Sequence, residues 1–491
     1  MKNDFYRASA QHTERVDSVE LSKYRTEFQR DRDRILYSKE FRRLSGKTQV
    51  FVAGFDDNMR TRLTHTLEVA QIADTIARSL NLNEILVESI AYGHDVGHTP
   101  FGHVGERTLN LIMNGCKDIY QFNKELIDSE KGFKHNLQSL RVISQLETLY
   151  NMKGLNLTKY TMWGVLNHSK KKYSKCGYLG EDKKCMLQNR NEKCENNGKF
   201  HLGFYDNKIL EDSIDWTFEA AVVAIADEIA QRHHDIEDGI YANIINKEEL
   251  IEKFDSCFKE FYDNSEVDTL NEIKEEKDKS QIIALFSKLI VHLYTSRYIV
   301  HLMSVLEELT KRLNIGCNAE FHDKKSIVFD YLCRKHDVLF KSDKCKSKKS
   351  AGKTMKLMTV LGFEKDFSRK DKDFKDFLYE KILLSELTQS MDGKSDYIIR
   401  QLFKAYLSNP QQLPDNTIER ICKNYLEIYS VSENCRNPRE FLRKKLHSSC
   451  DSVKMQKVVL RTVCDYIAGM TDTYAMSQFE KLYGSQKFKN Y

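Results

Sequence analysis

Four side chains could do chemistry together: His65, the adjacent pair His94 and Asp95, and Asp227. Two imidazoles and two carboxylates form a mixed nitrogen and oxygen set that can hold one or two divalent metals, and such a site can activate water for attack on phosphorus. Around the adjacent pair the chain reads YGHDVGHTPFGHVGE, with three histidines and a glutamate in one short span. Taken singly the residues have plainer readings. His65 could be an ordinary capping or surface histidine, and Asp95 a helix-terminal carboxylate. Asp227 is harder to dismiss, because it lies within the apolar run DWTFEAAVVAIADEIAQRHHDIEDG, where an isolated buried carboxylate is costly and metal ligation would relieve the cost.

The elements that must position these residues are helices. Prolines occur only at 100, 410, 414 and 438, and Leu, Ile, Val and Phe recur at three- and four-residue intervals, so the expected fold class is all-α. In RLTHTLEVAQIADTIARSL, the residues Leu63, Leu67, Ala70, Ile72, Ala73, Ile76, Ala77 and Leu80 predict one apolar stripe, with His65 near the helix start at the stripe's edge. A second helix over about 84–95 should end at His94 and Asp95, where Gly97 and Pro100 turn the chain. A third carries Asp227.

At 491 residues and 41% hydrophobic, the chain can bury a large core, as two or three domains or as one helical body with lobes. The expected division is a catalytic core over 1–240, a charged helical lobe over 241–375 and a C-terminal helical region over 376–491 that packs on the core. Residues 170–202 lack a clean period and read as an inserted loop. KSDKCKSKKSAGK at 341–353 reads as a basic, solvent-facing loop. No uninterrupted apolar run approaches the roughly 18 to 20 residues that cross a bilayer, and the first residues have no apolar segment of the signal-peptide kind. The expectation is therefore a soluble, cytoplasmic protein with no membrane partner. The 12 cysteines then read as free thiols. Cys176, Cys185 and Cys194, flanked by His168 and His201, recur every nine residues without the close pairs of a compact zinc site. A net charge of +5 is too small to establish nucleic-acid binding.

The order H…HD…D resembles the HD superfamily of metal-dependent phosphohydrolases. More closely, DRDRILYSKEFRRLSGKTQVF, RTRLTHTLEVAQIA, GHDVGHTPFGHVGE, FKHNLQSLRV, ADEIAQRHHDIEDG and DYIAGMTDTYA resemble the deoxyguanosine triphosphate triphosphohydrolases (dGTPases) and related deoxynucleotide triphosphohydrolases. The resemblance implies that His65, His94, Asp95 and Asp227 ligate a divalent metal, whether Mn, Mg, Fe or Co. It also implies catalytic roles for His103, Glu106 and His135. Glu106, three residues beyond His103, could orient it for proton transfer, although the two could also be a helix-capping cluster. His135 could equally be an ordinary helix start.

The resemblance places Gln49 and Asp235 near the sugar 3′-hydroxyl, with Asp235 a little over two helical turns beyond Asp227. Without it, Asp235 would read as a solvated acid. His98 would contact phosphate or carry a proton. Arg62, one turn before His65, would neutralise phosphate charge or form an ordinary ion pair. One position departs from the family pattern: Gln231 stands four residues after Asp227, where related enzymes often place a tyrosine against the nucleotide. The implied reaction converts a deoxynucleoside triphosphate to the deoxynucleoside and inorganic triphosphate. The alternatives are an HD phosphohydrolase acting on nucleoside monophosphates or cyclic nucleotides, and a nucleotide-sensing or single-stranded-DNA-binding assembly. The resemblance further implies a homo-oligomer, a hexamer or at least a dimer, regulated by nucleotides or single-stranded DNA.

Overall fold

The computed structural model describes residues 4–18, 20, 22–49, 60–116, 130–149, 153–169, 200–205, 210, 212–340 and 352–484. The cysteines at 176, 185 and 194, almost all of the 170–202 insertion and most of the basic 341–353 segment lie outside them. Among the described residues there is no β-sheet, only the isolated bridges Arg15 to Thr158 and Thr48 to Thr61, and the fold is all-α.

The first part of the chain forms α1 (Glu27–Leu36), α2 (Lys39–Arg43), α3 (Arg62–Ser79), α4 (Glu84–Gly93), α5 (Gly102–Met113), α6 (His135–Arg141), α7 (Lys159–Asn167), α8 (Asp212–Asp215) and α9 (Phe218–Tyr241). It continues through α10 (Lys247–Phe258), α11 (Asn264–Glu275), α12 (Lys279–Leu313), α13 (Asn318–Asp323), α14 (Lys325–Phe340), α15 (Lys353–Val360) and α16 (Lys365–Leu378). The last part comprises α17 (Glu386–Ser408), α18 (Asp415–Ile428), α19 (Pro438–Leu446), α20 (Ser452–Ala468) and α21 (Asp472–Tyr483).

Local chemistry starts the helices that matter most. Thr61, Asn83, Thr158 and Thr217 have extended backbones, and their side chains accept from a backbone N–H in the first turn of α3, α4, α7 and α9. The central helix is α9, which packs against α3, α4, α7 and α12. Its Ala and Val positions are small, and Ala221, Val222, Val223, Ala226, Ile229 and Ala230 are all buried. Fully burying one such branched side chain contributes about 1.5–3 kcal/mol. Gly164 on α7 faces Ile90 on α4, and a Cβ there would overlap the isoleucine side chain. Glycine thus permits the close approach that brings the ends of α4 and α7 together.

Two expectations change in detail. Leu67 is exposed, because the buried face of α3 centres on Val69, Ile72, Ala73 and Ile76, and this rotation buries His65 instead of leaving it at an edge. α4 ends at Gly93, with His94 as its C-cap. Separately, α12 is long and apolar enough, by length and composition, to cross a bilayer. Its Phe286, Leu289, Ile290, Leu293 and Tyr294 are buried in the same apolar cluster as α9, as expected for a core helix.

The apolar cluster around α9 runs from Tyr6 to Ile382 in sequence. A second cluster joins α17, α18, α20 and α21 to α5 through Phe101, Leu109, Ile112 and Met113. His65 and Asp227 lie on helices of the first cluster, and His103 and Glu106 on α5, which belongs to the second.

Candidate active site

Arg62 and His65 occupy the first turn of α3 and are both buried. At the end of α4, His94 turns Nδ1 back onto the Ala91 carbonyl at 2.6 Å. A carbonyl only accepts, so Nδ1 carries the proton and Nε2 presents a lone pair. That Nε2 is buried without a hydrogen-bond partner. It points between two carboxylates, with Asp95 Oδ2 at 3.7 Å and Asp227 Oδ1 at 3.9 Å, while His65 Nε2 lies 3.0 Å from the same Asp227 oxygen. The ligand atoms of His65, His94 and Asp95 all fall within 4.8 Å of one another. Such separations suit a cation about 2.0–2.2 Å from each donor. The structure therefore groups His65, His94 and Asp95, with Asp227 beside the two histidines, and the chemistry of these side chains fits a divalent metal.

The carboxylates are ionised there. Burial would raise Asp95, but His94, Arg62, His98 and His135 hold it well below the usual range. Burial also works against charge on Asp227, and the hydrogen bond from His65, with His94 and His65 as neighbours, outweighs it. Arg62 Nη1 donates to Asp95 Oδ2, so the side chain expected near phosphate sits at the rim of the ligand set.

The turn after α4 is fixed by its neighbours. Ser139 on α6 donates through Oγ to the His94 carbonyl at 2.7 Å and accepts from the Gly97 N–H at 2.9 Å. A Cβ at Gly97 would collide with the Ser139 backbone, which explains the glycine. Lys47, fully buried, donates Nζ to the carbonyls of His98 at 2.5 Å and Ala468 at 3.1 Å, and burial pulls its ammonium down to about 8. Asp472, at the start of α21, accepts from the Thr48 N–H, the Thr48 hydroxyl and the Phe101 N–H. Phe101 has φ 59° and precedes α5, so a residue far along the chain holds the left-handed backbone from which His103 and Glu106 project.

A second set lies beside the ligands. His98, His103, Glu106 and His135 each bring a donor atom within 4.8 Å of the others, and Asp95, His135 and His168 do the same. Glu106 accepts from the His135 backbone N–H at 3.2 Å and from its Nδ1, and it pairs with Lys134 Nζ at 3.3 Å. The carboxylate that the spacing aims at His103 is thus gripped by His135 and Lys134. Burial disfavours its charge, yet His135 and Lys134 hold it well below the ordinary value. His103 is exposed at the mouth of the cluster. His98 is neutral through burial and the nearby Arg62; its Nδ1 accepts from the Thr99 N–H at 3.1 Å, which leaves the proton on a buried, unpartnered Nε2.

His168 closes this set and carried no such role in the sequence reading. It repeats the geometry of His94: at the end of α7, its Nδ1 donates to the Val165 carbonyl at 2.7 Å, and its Nε2 faces His135 Nε2 at 3.3 Å. A recurring signal was present, since GHD and LNHS each end an apolar helix on a histidine three residues after a buried carbonyl. Gln49 and Asp235 are placed differently. No direct contact among the described residues joins either to the four ligands. The Gln49 Oε1 is buried without a hydrogen-bond partner, and burial pushes the Asp235 carboxyl up to about 6. Gln231 is half-buried on α9.

Residues 62–232 match the HD domain, and residues 361–427 and 427–481 match the phosphohydrolase-associated domain. With the ligand set above, this defines a metal-dependent hydrolase of the HD superfamily. Proteins described as deoxyguanosinetriphosphate triphosphohydrolase-like align along nearly the whole chain. The Bordetella pertussis protein is 31% identical over 460 residues, covering 94% of this chain and 90% of its own length. The Leptospira interrogans protein is 31% identical over 479 residues, 97% and 94%. The Geobacter metallireducens protein is 32% identical over 464 residues, 94% and 89%. The chain belongs to this deoxyguanosinetriphosphate triphosphohydrolase-like family.

Proposed function

We propose that the protein hydrolyses deoxynucleoside triphosphates, dGTP first among them, to the deoxynucleoside and inorganic triphosphate. The observation that carries this reading is the closeness of Asp95, one of the four candidate ligands, to His135, whose two ring nitrogens meet Glu106 and His168. A divalent ion held by His65, His94, Asp95 and Asp227, whether Mn, Mg, Fe or Co, would supply Lewis acidity toward phosphate and an acidified water.

The chain's own residues supply the rest. Glu106 accepts from Nδ1 of His135 and His168 presents a lone pair to its Nε2, so a proton carried on that Nε2 has a partner and lies where it can be handed on. Water attacks the α-phosphorus and gives up a proton to the histidine cluster, the bond to the 5′ oxygen breaks, and that oxygen takes the proton from His135, so the cluster ends with the protons it began with. His98 Nε2–H is a buried donor suited to a phosphate oxygen, and the Arg62 guanidinium offsets phosphate charge. His103, open to solvent, exchanges protons with the cluster. Gln49 and Asp235 are assigned to the sugar hydroxyl, and Gln231 makes base selection differ from enzymes that stack a tyrosine there. Assembly as a homo-oligomer, with a hexamer as the reference size, and control by a nucleotide or single-stranded DNA belong to the same proposal.

The test is incubation of metal-loaded protein with each dNTP and NTP, followed by separation of nucleoside, monophosphate, pyrophosphate and triphosphate. Deoxynucleoside with intact triphosphate is the expected result. Monophosphate with pyrophosphate, or cleavage of monophosphates or cyclic nucleotides alone, overturns it.

A further inference from the structure

A chain of three side chains extends outward from the ligand set. His65 meets Asp227 Oδ1 through Nε2, and through Nδ1 it meets His234 Nδ1 at 3.3 Å. His234 Nε2 in turn lies 2.5 Å from Glu68 Oε2. A carboxylate only accepts, so His234 carries its proton on Nε2 and its Nδ1 is an acceptor. The proton between the two imidazoles therefore belongs to His65 Nδ1. That leaves Nε2 as the atom of His65 that faces the ligand centre, 3.0 Å from Asp227 Oδ1.

We propose that Glu68 and His234 form a positioning pair that fixes the tautomer and ring orientation of His65, and so sets the affinity of the metal site. This inference rests on the metal reading above. Metal-bound histidines ordinarily hand their second ring nitrogen to a carboxylate or carbonyl, and outer partners of this kind influence affinity by about 10- to 100-fold. Here a second imidazole spans the gap to the carboxylate. Glu68 is itself held, by Arg60 Nε at 3.3 Å and His233 Nε2 at 3.0 Å, while Arg60 also reaches Glu237 at 2.7 Å. His233 touches the same carboxylate without touching His65, which makes it an internal control. His234 is buried and Glu68 half-exposed, so the pair runs from the packed interface of α3 and α9 toward the surface.

The experiment is calorimetric titration of Mn(II) into metal-stripped protein and four variants, with unfolding followed in parallel. His234→Ala and Glu68→Gln are expected to weaken binding about 10- to 100-fold, whereas His233→Ala leaves it within twofold. Glu68→Gln is isosteric and partly exposed, and it carries the test should His234→Ala fail to fold. Unchanged affinity in both variants overturns the pair, as does an equal loss in His233→Ala. The fourth variant, Asp227→Ala, separates the two readings: if it binds Mn(II) as tightly as wild type, the metal assignment itself falls and the pair falls with it.

Discussion

Asp472 accepts the Phe101 N–H at 2.9 Å, joining the first residue of α21 to the left-handed residue that launches α5. Its other oxygen takes the Thr48 N–H at 3.0 Å, so one carboxylate holds both segments that flank the histidine cluster. Replacing it by alanine leaves buried donors unsatisfied, at about 1–3 kcal/mol each. Asp472→Ala is expected to lower both urea stability and kcat, the latter at least tenfold, while Asp472→Asn keeps an acceptor and retains an intermediate kcat. A wild-type kcat in the alanine variant would show that the joint does not position the site.

The contact between Glu106 and His135 ranks the proton carriers. Glu106→Gln and His135→Ala should each reduce kcat by about 10²–10⁴ with smaller changes in KM, the range expected for loss of general acid catalysis. His103→Ala, at the exposed mouth, should cost less. Steady-state kinetics on the proposed dNTP substrate decides this, and the reverse order would return the leading role to His103.

Metal loading should be visible without turnover. At a free Mn(II) concentration 100 times Kd, the wild type should gain about 2.7 kcal/mol of stability. A chelator should reverse the gain, and His94→Ala or Asp227→Ala should not show it. Thermal unfolding with and without the ion checks both statements. An identical gain in His94→Ala would place the ion elsewhere.

Asp238 gives a pH dependence with a definite sign. Burial, reinforced by Asp235 and Glu237, pushes its carboxyl up to about 7, so the folded state binds a proton that the unfolded chain releases above about 4. Stability from this group is fully present below that ordinary value and is lost as pH rises to about 7. Asp238→Asn should therefore raise Tm by a few degrees at pH 8 and change it little at pH 4. A gain of equal size at both values would mean that the carboxyl is not protonated in the fold.

The all-α class followed from periodicity and scarce proline, since three-residue and four-residue spacing needs no knowledge of partners. The four candidate ligand positions stood out because His94 and Asp95 are adjacent at a helix end and Asp227 breaks an apolar run, and the structure groups His65, His94 and Asp95. What escaped were relationships set by tertiary packing. Leu67 fits the stripe of α3 on a wheel, yet the contact with α9 rotates it outward and His65 inward. His168 lies 33 residues from His135, and the two meet because α6 packs on α7. Nor does spacing reveal that Glu106 serves His135, 29 residues away, when His103 stands one helical turn before it.

The Lys47 bridge to the carbonyls of His98 and Ala468 has an implication for biosynthesis. Its two ends are 51 and 421 residues away in sequence. A ribosome releases His65, His94, Asp95 and Asp227 well before Ala468, so the nascent chain exposes its full set of ligands while the loop beside them still lacks its anchor. The loop that carries His98 therefore gains its second tether only once α20 has been made, long after every candidate ligand has left the ribosome.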